Sequence, residues 1–392
     1  MGSLKGLMIN FLEPSIGAEE LSLIEKTFDS KWIGKGKKVA ELEEKFAKLF
    51  NVPSDHIVSI TSCTEAIFMA MELFGFEAEN EIIVPTISFI AVPSAVKKHA
   101  KIRLCDVDKD TLQVTAKDIK DNITGHTRAV FLTHYGGFSC EMEEIVNLCQ
   151  ENNLILLEDS ACSMFTLHNN QSCGTFGDMG MWSLDAMKMI TAGDGGIMYF
   201  KDKGMADEAR GKAYLGLTQG SGFESSKKNG SAWWEYDVTS CERRLVMNDI
   251  SASIGLVQLD RSSYLIEKRN QITEAYDQLL SDIEYVKILK DSKSDVVTPY
   301  YYTIQTPFRD RMARLLLENE VYSTFKYFPI HRMPFFKEST FLYGSKLEFK
   351  DSDYVADRTL NLPLHANMAI DDVNKISTLI KQMGLRYKWG KE

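Results

Sequence analysis

The chain has 392 residues, enough for about two to three domains, and its 44% hydrophobic and 26% charged residues fit a globular protein and exclude a disordered one. Lys plus Arg total 45 against 55 for Asp plus Glu, so the net charge of -10 weighs against nucleic acid as the main partner. No apolar run approaches the ~18 residues of a membrane span, which predicts no membrane partner.

Met1-Gly2-Ser3-Leu4-Lys5 lacks the apolar stretch of a secretory signal. The cysteines are odd in number, scattered and free of CxxC pairs, so reduced thiols and a cytoplasmic location are expected. The histidines show neither HxxxH nor HxH spacing, and no metal site is expected.

In chain order, short apolar runs recur at 57–61, 82–84, 102–104, 129–132, 154–157, 180–183 and 196–200. Several are continuously apolar rather than alternating, as for strands buried on both faces of a mainly parallel sheet. Helix-like stretches at 64–73, 91–99 and 141–152 lie between the earlier runs, the last with Ile145, Val146 and Leu148 beside acids and amides. The pattern predicts a three-layer α/β domain over residues 13–260 with a seven-stranded sheet. The segment 248–260 reads as its closing helix. A strand over 300–306 and helices over 311–320 and 371–383 predict a smaller α/β domain over residues 261–392. The Gly-, Ser- and Lys-rich stretch 216–232 reads as a long mobile loop.

Ligands of parallel α/β sheets sit beyond the carboxyl ends of the strands. Thr61-Ser62-Cys63-Thr64 follows the first strand and opens a helix, and either caps it or binds a phosphate with its free N–H groups. Glu158 and Asp159 end the fifth run, where a carboxylate either caps a helix or holds a positively charged heterocycle. Lys188 follows the sixth, among Met, Ala and Ile and before the glycines at 193, 195 and 196. A low-dielectric setting there would depress its pKa and make it a usable amine nucleophile, and the glycines would let backbone approach a bulky ligand. Phosphate cradle, strand-end Asp and Lys, in that order, are what a pyridoxal phosphate enzyme needs.

With these motifs in view, the chain resembles the DegT/DnrJ/StrS family of pyridoxal-phosphate sugar aminotransferases, which have the aspartate-aminotransferase (type I) fold. The likeness rests on Ser30-Lys31-Trp32-Ile33-Gly34-Lys35-Gly36, Ser62-Cys63-Thr64-Glu65-Ala66-Ile67, Pro85-Thr86-Ile87-Ser88-Phe89, His134-Tyr135-Gly136, Glu158-Asp159-Ser160-Ala161, the segment 174–178, Ser183 to Gly196, Met247-Asn248-Asp249, Tyr327-Phe328-Pro329-Ile330-His331 and Leu362-Pro363-Leu364. The resemblance implies that Lys188 links covalently to the cofactor and later shuttles the proton. It implies that Asp159 pairs with the pyridinium nitrogen, that Ser62, Cys63, Thr64 and Ser183 hold the phosphate, and that Phe89 stacks on the ring. Arg244 falls where the family reaches the phosphate from the neighbouring subunit, implying a homodimer with shared sites. Trp32, Ile33, Gly34, Lys326, Tyr327 and His331 fall among its substrate contacts.

Three departures stand out. Cys162 replaces the usual Gln or His beside the cofactor's 3-hydroxyl, Asp194 replaces a Glu in the Gly-Glu-Gly-Gly run, and Glu242-Arg243-Arg244 breaks a G-x-N pattern. The expected activity is transfer of an amino group from L-glutamate or L-glutamine to a keto-sugar, nucleotide-linked in the family's usual way, for amino-sugar biosynthesis. A small phosphorylated ketone held by Arg243, Arg244 or Lys326 is the alternative, and a non-catalytic binding protein on the same fold a second one. A nicotinamide oxidoreductase would need G-x-G-x-x-G after an early strand, which is absent here.

Overall fold

The computed structural model describes residues 8–217, 234–235, 237–290, 294–337 and 348–386. Seven strands form the principal sheet: β1 (Ile57–Ile60), β2 (Glu81–Pro85), β3 (Lys101–Cys105), β4 (Thr127–Thr133), β5 (Ile155–Asp159), β6 (Met179–Ser183) and β7 (Gly196–Phe200), in the order β1-β7-β6-β5-β4-β2-β3. Strands β2 to β6 run parallel, while β7 runs antiparallel to both β1 and β6.

The unbroken apolar runs are explained by the layers. Val58, Ile60, Ile82, Val84, Phe131, Met181 and Met198 pack under the helices Cys63–Leu73, Ala91–His99 and Lys203–Lys212. Their alternate neighbours face the opposite side, where Ile57, Trp182 and Ile197 meet the helices Lys37–Phe50 and Asp249–Asp260. There Ile83, Val130 and Leu132 meet Ile119, Ile145 and Leu148. The helix Lys37–Phe50 buries Val39, Leu42, Phe46 and Phe50 along one stripe, and Phe50 stacks on the fully buried Trp182 at 4.0 Å between ring centroids.

The helix Asp249–Asp260 ends at Arg261, and the helix Ser262–Leu280 follows at once. That second helix packs with Arg309–Glu318 and Ile370–Arg386 on an antiparallel sheet of β8 (Lys287–Ile288), β9 (Tyr302–Gln305) and β10 (Thr359–Leu362). The two parts are not separate along the chain. Residue Ile9 pairs with Val321, and the Leu364 N–H donates to the Phe11 carbonyl, so the N-terminal strand segment lies on the smaller unit. In return, Ile330 and Phe336 enter the core of the larger one, where the Ile330 N–H donates to the Thr86 carbonyl. Of the stretch 216–232 only Gly216 and Leu217 fall within the described residues.

Strand register sets the position of the site. Thr133 pairs with Asp159, Asp159 with Met181, Ser183 with Gly196, and Gly196 with Ile60. The ends of β1, β4, β5 and β6 and the start of β7 therefore share one edge, and the helix Cys63–Leu73 begins there.

Candidate active site

The helix Cys63–Leu73 starts at that edge because Ser62 caps it, its hydroxyl accepting from the Glu65 N–H at 3.2 Å. The cap does not preclude an anion at the same place. The cap uses Ser62, while the N–H groups of Cys63 and Thr64 lie in the first turn, beyond reach of any intrahelical carbonyl, at the positive end of the helix dipole. Gly196 makes the arrangement possible. A Cβ there would stand 2.7 Å from the Cys63 nitrogen and the Ser62 carbonyl carbon. Gly196 thus brings backbone against the cradle itself and Gly195 against Met247, while a Cβ at Gly193 would meet nothing within 4 Å.

Asp159 ends β5 and is buried, with Oδ1 accepting from the Ala161 N–H at 3.0 Å. Burial raises its pKa above the usual 3.8, against the opposing pull of that hydrogen bond and of Lys188 and His134. Its neighbour Glu158 anchors the strand end. The fully buried carboxylate takes N–H groups from Gly174 (2.8 Å), Phe176 (2.8 Å) and Gly177 (2.6 Å), and meets His134 Nε2 at 3.0 Å.

Lys188 sits on a closed loop between β6 and β7, sealed by Leu184 N–H to Gly195 O and Ala192 N–H to Leu184 O, each 2.9 Å. Its Nζ lies 3.7 Å from Cys162 Sγ and 5.0 Å from the centroid of the Tyr300 ring. Burial favours the neutral amine, as expected from the sequence. Cys162, Tyr300, Tyr327 and Asp159 outweigh it, so among these protein groups the Lys188 pKa rises above that of an ordinary lysine.

A cavity of about 310 Å³ joins these groups, lined by Ser62, Cys63, Thr64, Phe89, Asp159, Ser183, Lys188, Lys326 and Tyr327. All of these were expected from the sequence. Asp185, Met187, Tyr300 and Tyr301, which also line the cavity, were not. The tyrosines arrive from the smaller unit, where the Tyr300 N–H donates to Gly136 O at 2.8 Å and Arg269 Nη2 to Tyr300 O at 2.7 Å. Tyr300 then donates its hydroxyl to Met187 O at 3.1 Å, one residue before the lysine. Three consecutive tyrosines after a proline were the available signal. Cys162 lies behind the cavity wall, its Sγ 3.7 Å from both Lys188 Nζ and the Tyr327 hydroxyl.

Other expected residues stand apart from this chain's cavity. His331 Nε2 lies 3.1 Å from Asp353, and its ring rests 4.6 Å from that of Phe349. The carbonyls of Ile33 and Gly34 are fixed by the Asp249 N–H, while Trp32 donates its indole N–H to Lys35 O at 3.0 Å and is largely exposed. Arg244 is exposed, 5.4 Å over the Tyr214 ring. Arg243, considered for an anion site, is instead held by Glu72 at 2.7 Å and Glu65 at 3.2 Å.

The donor set fits pyridoxal phosphate: an anion cradle that a Cβ at Gly196 would crowd, a buried carboxylate with one oxygen already held, and an amine lie along one cavity. Among the described residues no group of His, Cys, Asp and Glu could hold a metal ion, and no helix is long and apolar enough to cross a membrane.

The sequence profile of the DegT/DnrJ/EryC1/StrS aminotransferase family matches residues 14–381. The chain is 37% identical, over 94% of its length and 95% of the relative's, to the dTDP-4-dehydro-2,3,6-trideoxy-D-glucose 4-aminotransferase of Saccharopolyspora spinosa. The crystal structure of the aminotransferase TlmJ from Streptoalloteichus hindustanus superposes with a TM-score of 0.88 at 35% identity, covering 97% of this chain and 99% of that one. The PLP-form of the putative sugar aminotransferase Spr1654 from Streptococcus pneumoniae shares the fold, with a TM-score of 0.87 at 22% identity over 97% and 99% of the two chains.

Proposed function

The chain belongs to the DegT/DnrJ/EryC1/StrS aminotransferase family and is a pyridoxal-phosphate-dependent aminotransferase; from that premise we propose that it moves an amino group from L-glutamate, or L-glutamine, to a nucleotide-linked keto-sugar in amino-sugar biosynthesis. One observation carries the reading. Lys188, Asp159 and the Ser62–Thr64 cradle share a single cavity with Lys326 and Tyr327, so cofactor and substrate groups meet at one point. The 37% identical relative, whose name specifies a deoxy-sugar 4-aminotransferase, supports the choice of acceptor class.

Pyridoxal phosphate, when bound, supplies the electron sink that stabilises negative charge at the reacting carbon. The chain supplies the rest. The Cys63 and Thr64 N–H groups, with the Thr64 and Ser183 hydroxyls, would hold the phosphate at the helix N-terminus. Asp159 would keep a proton on the ring nitrogen, an arrangement in which a positive neighbour offsets the cost of burying the carboxylate. Phe89, whose ring centroid lies 5.5 Å from that of Tyr327, offers an apolar face to the ring. Lys188 Nζ is the group that accepts and returns the proton at the substrate carbon. Cys162, in place of the family's Gln or His, leaves only a weak donor beside the lysine.

We assign the working unit as a homodimer and its place as the cytoplasm. Trp32, Ile33, Ile90 and Phe328 are exposed apolar side chains outside the cavity lining, which suits a second copy. Arg244, exposed and not among the residues lining its own cavity, is available to a neighbour's. The seven cysteines are all free, which suits a reducing compartment. The engagement of Arg243 by two glutamates removes one support for a phosphorylated ketone. The test is an absorbance spectrum of the cofactor-loaded protein before and after L-glutamate. A visible band that moves to the near ultraviolet is the expected result, and a band indifferent to glutamate and glutamine alike would overturn the reading.

A further inference from the structure

Lys326 brings to the cavity a positive charge that the reading above gives to substrate without saying which group of which substrate it meets. It lines the same wall as Lys188 and Tyr327. Its backbone is fixed, because the Lys326 N–H donates to Asn361 Oδ1 at 2.8 Å. Asn361 is itself fully buried and donates to the Tyr135 hydroxyl at 3.1 Å and to Thr303 Oγ1 at 2.9 Å. The side chain lies along Phe11, with Nζ 5.8 Å from the ring centroid. Among the described residues Lys326 forms no ion pair; Asp185 and Cys162 act on it only through space. A partly buried ammonium without a counter-ion costs free energy unless an anion arrives.

We infer that Lys326 receives the α-carboxylate of the amino donor. This assignment rests on the aminotransferase reading above. The position of the charge decides between the anions that enter. Lys326 and Lys188 line the same cavity of about 310 Å³, and Lys188 works at the carbon that carries the amine. An α-carboxylate is bonded to that same carbon. The diphosphate of a nucleotide-sugar is attached at the far side of the sugar ring from a 4-keto carbon and would not reach the same point. Burial, and then the repulsion from Lys188, lowers the Lys326 pKa, which agrees with a site that is completed by an anion. Lys326 is thus a donor-recognition residue, and the ketone's diphosphate lies elsewhere.

The test compares cofactor-loaded wild type with K326Q, which keeps a polar chain without the charge, and with K326R, which restores it. The L-glutamate concentration that half-converts the visible band is expected to rise about tenfold to a hundredfold in K326Q, and to recover in part in K326R. Calorimetric titration with maleate, a dicarboxylate without an amine, is expected to show the same loss of affinity. Equal glutamate dependence and equal maleate affinity in wild type and K326Q would overturn the assignment. So would a defect confined to the return reaction with a keto-sugar, which would give Lys326 to the acceptor. A wild-type protein that responds to no amino donor would instead refute the reaction itself, before any substitution is made.

Discussion

The two halves of the cavity are built in opposite ways. The half proposed for the cofactor comes from strand ends of one sheet: Ser62 after β1, Asp159 at the end of β5, Ser183 at the end of β6, and Gly196 opening β7. Backbone register and helix capping hold it, with Glu158 tying three N–H groups of the 174–177 segment to β5. The half proposed for substrate holds Lys326 and Tyr327, with Tyr300 and Tyr301 beside them, all carried in by loops of the smaller unit. Side-chain contacts hold it: Arg269 on the carbonyl of Tyr300, Asn361 on the N–H of Lys326, and the Tyr301 hydroxyl 3.4 Å from that of Tyr327. Chemistry common to a family can be fixed by a sheet edge, whereas recognition can vary on loops without disturbing that edge.

That contrast predicts effects of different kinds. Lys188→Ala, at the tip of the strand-end half, is expected to reduce turnover by at least about a thousandfold while circular dichroism and thermal melting stay near wild type. Retained transamination would end the assignment of Lys188. Asp159→Asn should lower kcat by about a hundredfold, the scale of removing one member of a buried charged pair. In the cofactor-free protein burial raises the pKa of this carboxylate above 3.8. Since the folded pKa exceeds the unfolded one, ionising Asp159 costs stability as pH rises through that window. Cofactor-free D159N should therefore melt no lower than the cofactor-free wild type at neutral pH, and a clear loss of thermal stability would argue for a structural role instead.

Gly196→Ala tests the framework rather than the chemistry. Its methyl would meet the Ser62–Cys63 peptide at 2.7 Å, with an expected cost of about 1–3 kcal/mol in denaturant unfolding and weaker retention of the cofactor on dialysis. Tyr300→Phe probes the loop-built half and should have the smallest effect. Losing its hydrogen bond to Met187 O should cost about 1 kcal/mol in stability, with kcat reduced by about tenfold or less through a looser lysine loop. A larger kcat loss in Y300F than in D159N would reverse the comparison.

The strand-end half was legible because its signals are local. An apolar run ending in Ser-Cys-Thr, or in Glu-Asp-Ser-Ala, carries both the strand and the polar turn beyond it, and parallel pairing brings the run ends to one edge. Tyr327 was reached through family likeness and Lys326 as a candidate anion site, neither through a local structural pattern. Tyr300 and Tyr301 were read only as part of a strand, because their approach to Lys188 depends on Gly136 and Arg269, far away in sequence. His331 shows the reverse case: a motif position whose side chain, in this chain, rests on Asp353 and Phe349 rather than on the cavity.

By itself, then, the sequence determined the mainly parallel sheet, the helix cap at Ser62 and the order of cradle, carboxylate and lysine, since burial on two faces and capping chemistry are properties of neighbouring residues. Only the tertiary structure set the direction in which the Lys188 pKa moves. Burial would make it a neutral amine, and the thiol, phenols and carboxylate that outweigh burial come from distant segments of the chain. It also decided which of the arginines and histidines are spent on neighbours, because a charged side chain's partner is set by packing and not by its place in the sequence.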